Sequence, residues 1–505
     1  MAFALFTPRR LGLQERYQLA QAQCGSMPLI TLVVSLPNDT RQGELRRQVM
    51  VNCEALLALH PILSATIDKR LTRHPCWKPH NPQRRPGRTI VDTEICFADG
   101  VDEIAAIEDR KGQNLDLDNG PLWRVGIYRT TLEAGGDGQF VALTICHLLT
   151  DGMGALDLLR RILPNGLDHS KITPSKPSQL PPKAEDRIEF YESKAERRKI
   201  RQAGSNDRYR LDSFMKDRDA WPTENDILER RSSQVKHKSI DFGPNYPGQI
   251  LDGLKSYYRN TTVPGSVHSV LHTAAVVALA AVGRRPSTLT WGLENQSLKL
   301  ISTETPMSLR SYRLGHPSFG ETNEDARRRV SALQWIPDKR HPGERRKIML
   351  SPLPRVFLPT MLKALKVPPT PIPKPGHKVV PEPTGWEEYL AQQVRSQTPY
   401  RASLGISNLG VFRSREVDKI WFCHTSMPWG VALNIDVVSC TEDMQGDEDM
   451  ELTVMVSWLD GVIEDKTVER FIQAFAIVVN KFAWAGNHSL EASFALQKVP
   501  LKDLV

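Results

Sequence analysis

A short histidine motif between a strand-like and a helix-like segment constrains this chain more than any other feature. Residues 146–152 read CHLLTDG, with Asp151 four positions after His147. The alternating apolar run 139–146 before it predicts a strand, and the apolar-periodic run 154–163 after it predicts a helix. A histidine at a strand end is placed for proton transfer, because imidazole titrates near physiological pH. An acid at the following turn can hold the loop that presents this base.

The composition is that of a globular protein with room for large buried cores. The chain has 505 residues, of which 40% are hydrophobic and 25% charged, ordinary values for a soluble protein. The longest purely apolar run, residues 274–282, is too short to cross a bilayer. The opening MAFALFTPRR has no basic start before its short apolar stretch, unlike a secretory signal. We therefore expect a cytoplasmic protein without integral membrane association.

Cysteine, histidine and charge patterns exclude several other classes. The seven cysteines form no CxxC pair, which predicts free thiols in a reducing compartment. His268 and His272 have the spacing of a zinc protease pair, but Ser269 stands where that chemistry needs glutamate, so we expect no metal site. The net charge of +8 comes from dispersed basic residues, which favours a solvated surface over nucleic-acid binding.

The composition changes along the chain and predicts two halves of mixed helix and strand. Residues 1–165 form the first lobe and carry the histidine motif. Residues 166–239 are charged and proline-rich and predict a surface linker. Residues 240–505 form the second lobe, with a proline-rich insertion at about 337–383.

Hydrophobic periodicity predicts the main elements of both halves. In the first half it indicates a helix over 43–60 and a hairpin of strands 122–129 and 139–146. On the second of these strands His147 shares a face with apolar residues, so we expect it to be buried. In the second half the predicted helices are 266–282 and 467–482, and the predicted strands are 289–293, 404–412, 431–439 and 451–458.

Four further segments, taken together with HLLTDG, resemble the CoA-dependent acyltransferase superfamily. They are LQERY at 13–17, HPIL at 60–63, GPLWRV at 120–125 and ISNLG at 406–410. Their order matches that superfamily, which includes chloramphenicol acetyltransferase, the condensation domains of peptide synthetases, plant BAHD enzymes and fungal alcohol acetyltransferases. The resemblance covers nearly the whole chain apart from its middle. The DFGWG segment of BAHD enzymes is absent, which favours the alcohol acetyltransferase branch.

The resemblance implies a fold and an activity. The fold is α/β (α+β mixed): two chloramphenicol-acetyltransferase-like lobes, each a mixed β-sheet with helices, with a tunnel between them. The activity is transfer of an acyl group, acetyl in the first instance, from acyl-CoA to an alcohol hydroxyl of a secondary metabolite. His147 would be the general base. Acetyl-CoA or another acyl-CoA is a co-substrate, no cofactor is permanently bound, and the protein is expected to be a monomer.

The resemblance also assigns structural roles around the motif. Asp151 would pair with an arginine and fix the loop, and Arg16 is the first candidate, with Arg124 second. Gly152 would permit close backbone approach or a positive φ angle. The alternative for His147 is a satisfied core histidine that stands beside Asp151 by chance.

Three residues outside the motif are candidates for the oxyanion site or the tunnel wall. Ser407 and Asn408 carry hydrogen-bond donors and match the family segment opposite the histidine, where a developing oxyanion needs them. A plain turn or strand-edge role for both remains open. Arg310 resembles a tunnel-shaping arginine of the family, and a surface or packing role is equally open.

The sequence favours direct transfer over a covalent intermediate. Cys146 precedes His147 on a strand and should face the other way, and no Gly-x-Ser-x-Gly elbow occurs. Two alternatives stay open: a condensation-type transferase that takes its acyl group from a carrier protein, and a non-catalytic ligand-binding member of the fold. The sequence does not identify the acceptor alcohol.

Overall fold

The structure of the chain is a computed structural model, and it describes both halves of the protein with gaps. The described residues are 7–37, 42–72, 74–79, 90–92, 96–131, 137–169, 180–181, 221–222, 227–228, 234–257, 266–282, 301–308, 333–340, 385–396, 399–442 and 450–487. Arg310, the strand expected at 289–293 and most of the expected linker and insertion lie outside these residues.

Helices and strands alternate along the described chain. The helices are α1 Leu13–Gln23, α2 Gln42–Leu59, α3 Val101–Gly112, α4 Gly152–Ile162, α5 Tyr246–Tyr257, α6 Val267–Val282, α7 Gly385–Arg395 and α8 Asp465–Asn487. The strands are β1 Arg9–Arg10, β2 Leu29–Leu36, β3 Thr66–Asp68, β4 Cys76–Lys78, β5 Cys96–Phe97, β6 Trp123–Thr131, β7 Asp137–Cys146, β8 Val235–Phe242, β9 Ile301–Ser308, β10 Leu333–Arg340, β11 Ala402–Arg413, β12 Lys419–His424, β13 Val431–Thr441 and β14 Glu451–Leu459. None of the helices in the described ranges is long and apolar enough to span a membrane.

The first half is organised by a five-stranded sheet in the order β12-β2-β7-β6-β5. The expected hairpin is present as antiparallel β6 and β7. Val141, Leu143 and Ile145 on β7 pack in one core with α2 and α4, and burial of each such side chain stabilises the fold by about 1.5–3 kcal/mol. This arrangement confirms the predicted helix over 43–60 and the strand and helix on either side of the motif.

The second half is organised by a six-stranded mixed sheet in the order β10-β9-β11-β13-β14-β8. Strand β11 is parallel to β13, whereas β13 and β14 are antiparallel. Helices α6 and α8 cover one face, where Leu271, Phe471 and Phe475 are fully buried. The predicted helices 266–282 and 467–482 and strands 404–412, 431–439 and 451–458 are therefore confirmed. The residues form a mixed α/β fold with several sheets, as expected.

Strand β12 comes from the second half of the chain but completes the sheet of the first. It pairs antiparallel with β2 along its whole length, from Lys419 opposite Ser35 to His424 opposite Ile30. It also contacts the second sheet, where Trp421 Nε1 donates a hydrogen bond to Asp241 Oδ1 on β8 at 2.8 Å. The two sheets are thus joined through one strand that the periodicity did not predict.

Arg124 lies in a buried charge cluster, which corrects its assignment as a partner of Asp151. Its guanidinium pairs with Glu108 on α3, and its Nη2 donates to Asp92 Oδ2 at 2.9 Å. Glu108 is fully buried and also accepts from Tyr128 and, at 2.7 Å, from Thr144. Side chains alternate along β6, so Arg124 faces α3, whereas α4 covers the opposite face.

Removal of Arg124 tests how far this cluster stabilises the first half. Arg124→Met should destabilise the protein by about 3–5 kcal/mol, because it leaves the Glu108 carboxylate buried without its cation. The measurement is the midpoint of chemical and thermal unfolding. Arg47→Met is the matched control, since Arg47 pairs with Glu44 in an exposed i,i+3 pair and its loss should produce no measurable change. Equal midpoints for both variants would contradict the role of the cluster.

Candidate active site

His147 follows β7 directly and is enclosed by the protein. Its backbone N–H donates to the carbonyl of Pro28 at 2.7 Å, which fixes the turn after the strand. The residue is 7% exposed, and no side chain in the described part of the chain forms a hydrogen bond with its ring. Backbone carbonyls only accept and can bond only to a protonated ring nitrogen, so the other nitrogen of a neutral ring is available to a bound molecule.

The surroundings of His147 disfavour its charged form. Burial is the main cause that lowers its pKa, to about 3, and a charge on the neighbouring His424 would lower it further. The backbone of His147 and of Thr150 acts in the opposite direction. The ring is therefore neutral at physiological pH, which is the state in which it can accept a proton.

Asp151 begins the helix after the motif. It is the N-cap of α4, and its Oδ1 accepts from the backbone N–H of Gly154 at 2.8 Å. A capping carboxylate accepts a hydrogen bond from an otherwise unpaired amide of the first helical turn. Its negative charge also interacts favourably with the positive end of the helix dipole. The motif acid therefore fixes the start of α4 and does not bond to the ring of His147. Its pairing with Arg16, which lies on α1, stays a prediction.

Gly152 marks a close approach between the two halves. A Cβ placed on Gly152 would lie 2.6 Å from Cδ2 of Leu409 on β11. Leu409 itself is buried in the core that contains α4. The SNLG segment of the second half therefore packs against the first residue of the motif helix, at the position where the chain has glycine.

Ser407 and Asn408 lie on β11 near this contact but in different settings. Ser407 is nearly buried and stands opposite Asp436 of β13 in the parallel register. Asn408 accepts with its Oδ1 from the backbone N–H of Gly410 at 2.7 Å, at a bulge where Gly410 has φ +76°. This bond occupies the side-chain oxygen of Asn408 in a local turn. The oxyanion role of both residues stays a prediction.

A second histidine, His424, stacks on His147. The two ring centroids are 5.9 Å apart and the ring planes differ by 13°. Strands β7 and β12 both run antiparallel to β2, on either side of it. Both end at the start of β2, where Cys146 pairs with Leu29 and His424 pairs with Ile30. The sheet order therefore brings together two histidines that are far apart in sequence.

A buried carboxylate holds His424 in place. Nδ1 of His424 lies 2.8 Å from Oδ1 of Asp436, and its backbone N–H donates to Oδ2 at 2.8 Å. Because a carboxylate only accepts, Nδ1 carries the hydrogen. Sequence reasoning missed this pair, although the apolar run KIWFCH before Thr425 is the pattern of a strand that ends at a histidine.

Cys146 faces away from the two histidines. It packs with Leu19 and Met27 in a core separate from that of Ile145, as the alternation along the strand predicts. Burial raises the pKa of its thiol to about 12. A thiol that stays protonated is a poor nucleophile.

Comparisons with solved structures identify the fold. No protein-family model and no curated protein matches the sequence. The trichothecene 15-O-acetyltransferase TRI3 from Fusarium sporotrichioides is similar with a TM-score of 0.57 and 11% identity, over 96% of this chain and 98% of that one. The epimerization domain from the third module of tyrocidine synthetase B gives 0.54 and 13%, over 97% and 99%. The condensation domain of the monacolin K polyketide synthase MokA gives 0.52 and 10%, over 95% and 98%.

These likenesses show the fold and no more, because the identities are low. The chain has the two-lobed fold shared by acetyltransferases and condensation domains. That confirms the fold expected from the CHLLTDG motif and its flanking segments.

Two substitutions of Asp151 separate its capping role from its charge. Asparagine caps a helix about as well as aspartate, whereas alanine does not. Asp151→Ala should therefore be less stable than Asp151→Asn by about 1 kcal/mol, measured by thermal unfolding.

Arg16→Met tests the pairing that the resemblance implies for this carboxylate. If the pair forms, Asp151→Asn is itself less stable than wild type, and adding Arg16→Met to it causes no further loss. Additive losses would contradict the pair while leaving the cap intact.

Proposed function

We propose that this protein is an O-acyltransferase that moves an acyl group from acyl-CoA to an alcohol hydroxyl. The observation that carries the proposal is His147: a buried neutral imidazole with no side-chain hydrogen bond among the described residues, at a strand end where the two halves meet. The two-lobed fold supports the same conclusion, since it is shared with an acetyltransferase.

In the proposed reaction His147 acts as the general base. It accepts the hydroxyl proton as the alcohol oxygen attacks the thioester carbonyl carbon. When the tetrahedral intermediate collapses, the C–S bond breaks and its electron pair stays on sulfur. The sulfur takes the proton from the His147 imidazolium and leaves as the CoA thiol, which returns His147 to its neutral form. A general base in this role contributes about 10²- to 10⁴-fold to the rate. Ser407 is the candidate donor to the oxyanion. Its hydroxyl can donate a hydrogen bond, and it stands opposite Asp436, the residue of β13 that holds His424.

The substrates are proposed from the same arguments. The donor is acetyl-CoA or a related acyl-CoA, and the acceptor is an alcohol of a secondary metabolite. They would enter a tunnel between the lobes, and the protein would act as a cytoplasmic monomer. A carrier-protein donor is the second candidate, because the fold is also that of a condensation domain.

The direct test is a transfer assay with substitution of the base. Purified protein is incubated with acetyl-CoA and a panel of alcohols, and the products are identified by mass. His147→Gln should lower kcat by about 10²-fold or more with an unchanged melting temperature. Transfer only from acyl-carrier protein would favour the second candidate. Activity of the variant within a few-fold of wild type would contradict the role of His147.

The kinetic pattern separates direct from covalent transfer. We expect intersecting double-reciprocal lines and no mass gain after incubation with acetyl-CoA alone, because Cys146 faces another core and is protonated. Parallel lines with a stable acetyl adduct would show an acyl-enzyme instead.

A further inference from the structure

His147 lacks the partner that usually orients a catalytic histidine. In most such sites a carboxylate bonds to the second ring nitrogen, fixes the tautomer and stabilises the imidazolium that forms. Here no described side chain forms a hydrogen bond with the ring of His147. The acid of its own motif, Asp151, caps helix α4 instead.

The histidine–carboxylate pair of this site belongs to the neighbouring ring. His424 is bonded twice to Asp436, through Nδ1 and through its backbone N–H, each at 2.8 Å. Asp436 is 2% exposed, so solvent hardly competes for it. Phe422 contacts the His424 ring edge-on, with centroids 4.8 Å apart. The plane of His424 is therefore fixed from two sides, and His147 stacks on it.

We propose that His424, locked by Asp436, is the positioning residue for His147 in the acyl-transfer reaction proposed above. Its fixed ring sets the plane of the His147 ring by stacking. The orienting role of a carboxylate is thus carried out through a second imidazole, supplied by β12 and β13 rather than by the motif.

The experiment compares substitutions in the transfer assay with acetyl-CoA. His424→Ala should lower kcat by about 10²-fold, the cost of a misplaced catalytic group, while the KM for acetyl-CoA changes less than threefold. His424→Phe keeps a flat ring, so its kcat should be at least fivefold higher than that of His424→Ala. Asp436→Asn should lower kcat at least tenfold. His237→Ala is the matched control: it is a buried histidine bonded to Ser457 on β14, and its kcat should not change.

The proposal is overturned if kcat of His424→Ala stays within threefold of wild type.

A readout that does not need turnover keeps this inference separate from the proposed function. Nitrogen NMR of the labelled imidazoles should show a changed His147 ring signal in His424→Ala and Asp436→Asn, and an unchanged one in His237→Ala. If the wild type transfers no acyl group, the proposed function fails while these spectra still decide the coupling of the two rings. A His147 signal that is the same in all variants would overturn the positioning role.

Discussion

The pairing of β12 with β2 is the contact on which the candidate site depends. It places His424 at the start of β2, next to the end of β7, and so sets the stack with His147. A strand register is strict wherever both faces are covered, because a slip by one residue turns every side chain to the other face. Such a slip would point His424 away from His147. The geometry of the site is therefore a consequence of sheet register.

The same strand connects the site to the second half of the molecule. Thr453 on β14 donates to the carbonyl of Ile420 on β12, and Trp421 bonds to Asp241 on β8. Asp436, which holds His424, lies on β13 within the second sheet. His147 comes from one half, and its stacked partner is held by a carboxylate of the other. A change in the relative position of the sheets would act directly on the two rings.

The two faces of the first sheet differ in how their buried polar side chains are hydrogen-bonded. On the α3 face, Arg124 and Glu108 form a buried and fully bonded cluster, which is suited to stability. On the face of the site, His147 is buried and no described side chain forms a hydrogen bond with its ring. Burial lowers its pKa to about 3, and a strongly perturbed pKa at a strand end between two halves is typical of a functional position.

The sequence alone determined the local part of this site. The alternation of residues 139–146 predicted a buried strand and the face of His147, and the following run predicted α4, because both patterns are set by neighbours in the chain. The resemblance of the motif and its flanking segments to a known superfamily implied the two-lobed fold. The side of β6 on which Arg124 lies follows from the same alternation, but what covers that side depended on α3, which the sequence analysis did not recognise.

Only the tertiary structure decided what surrounds His147. The stack with His424 and the bond from His424 to Asp436 join strands that are distant in sequence, and no local pattern specifies which strands become neighbours. The role of Asp151 as a helix cap likewise emerged only from the tertiary structure, because the sequence shows aspartate whether the side chain caps a helix or forms an ion pair. Periodicity reports which residues share a face, whereas sheet order determines which faces meet.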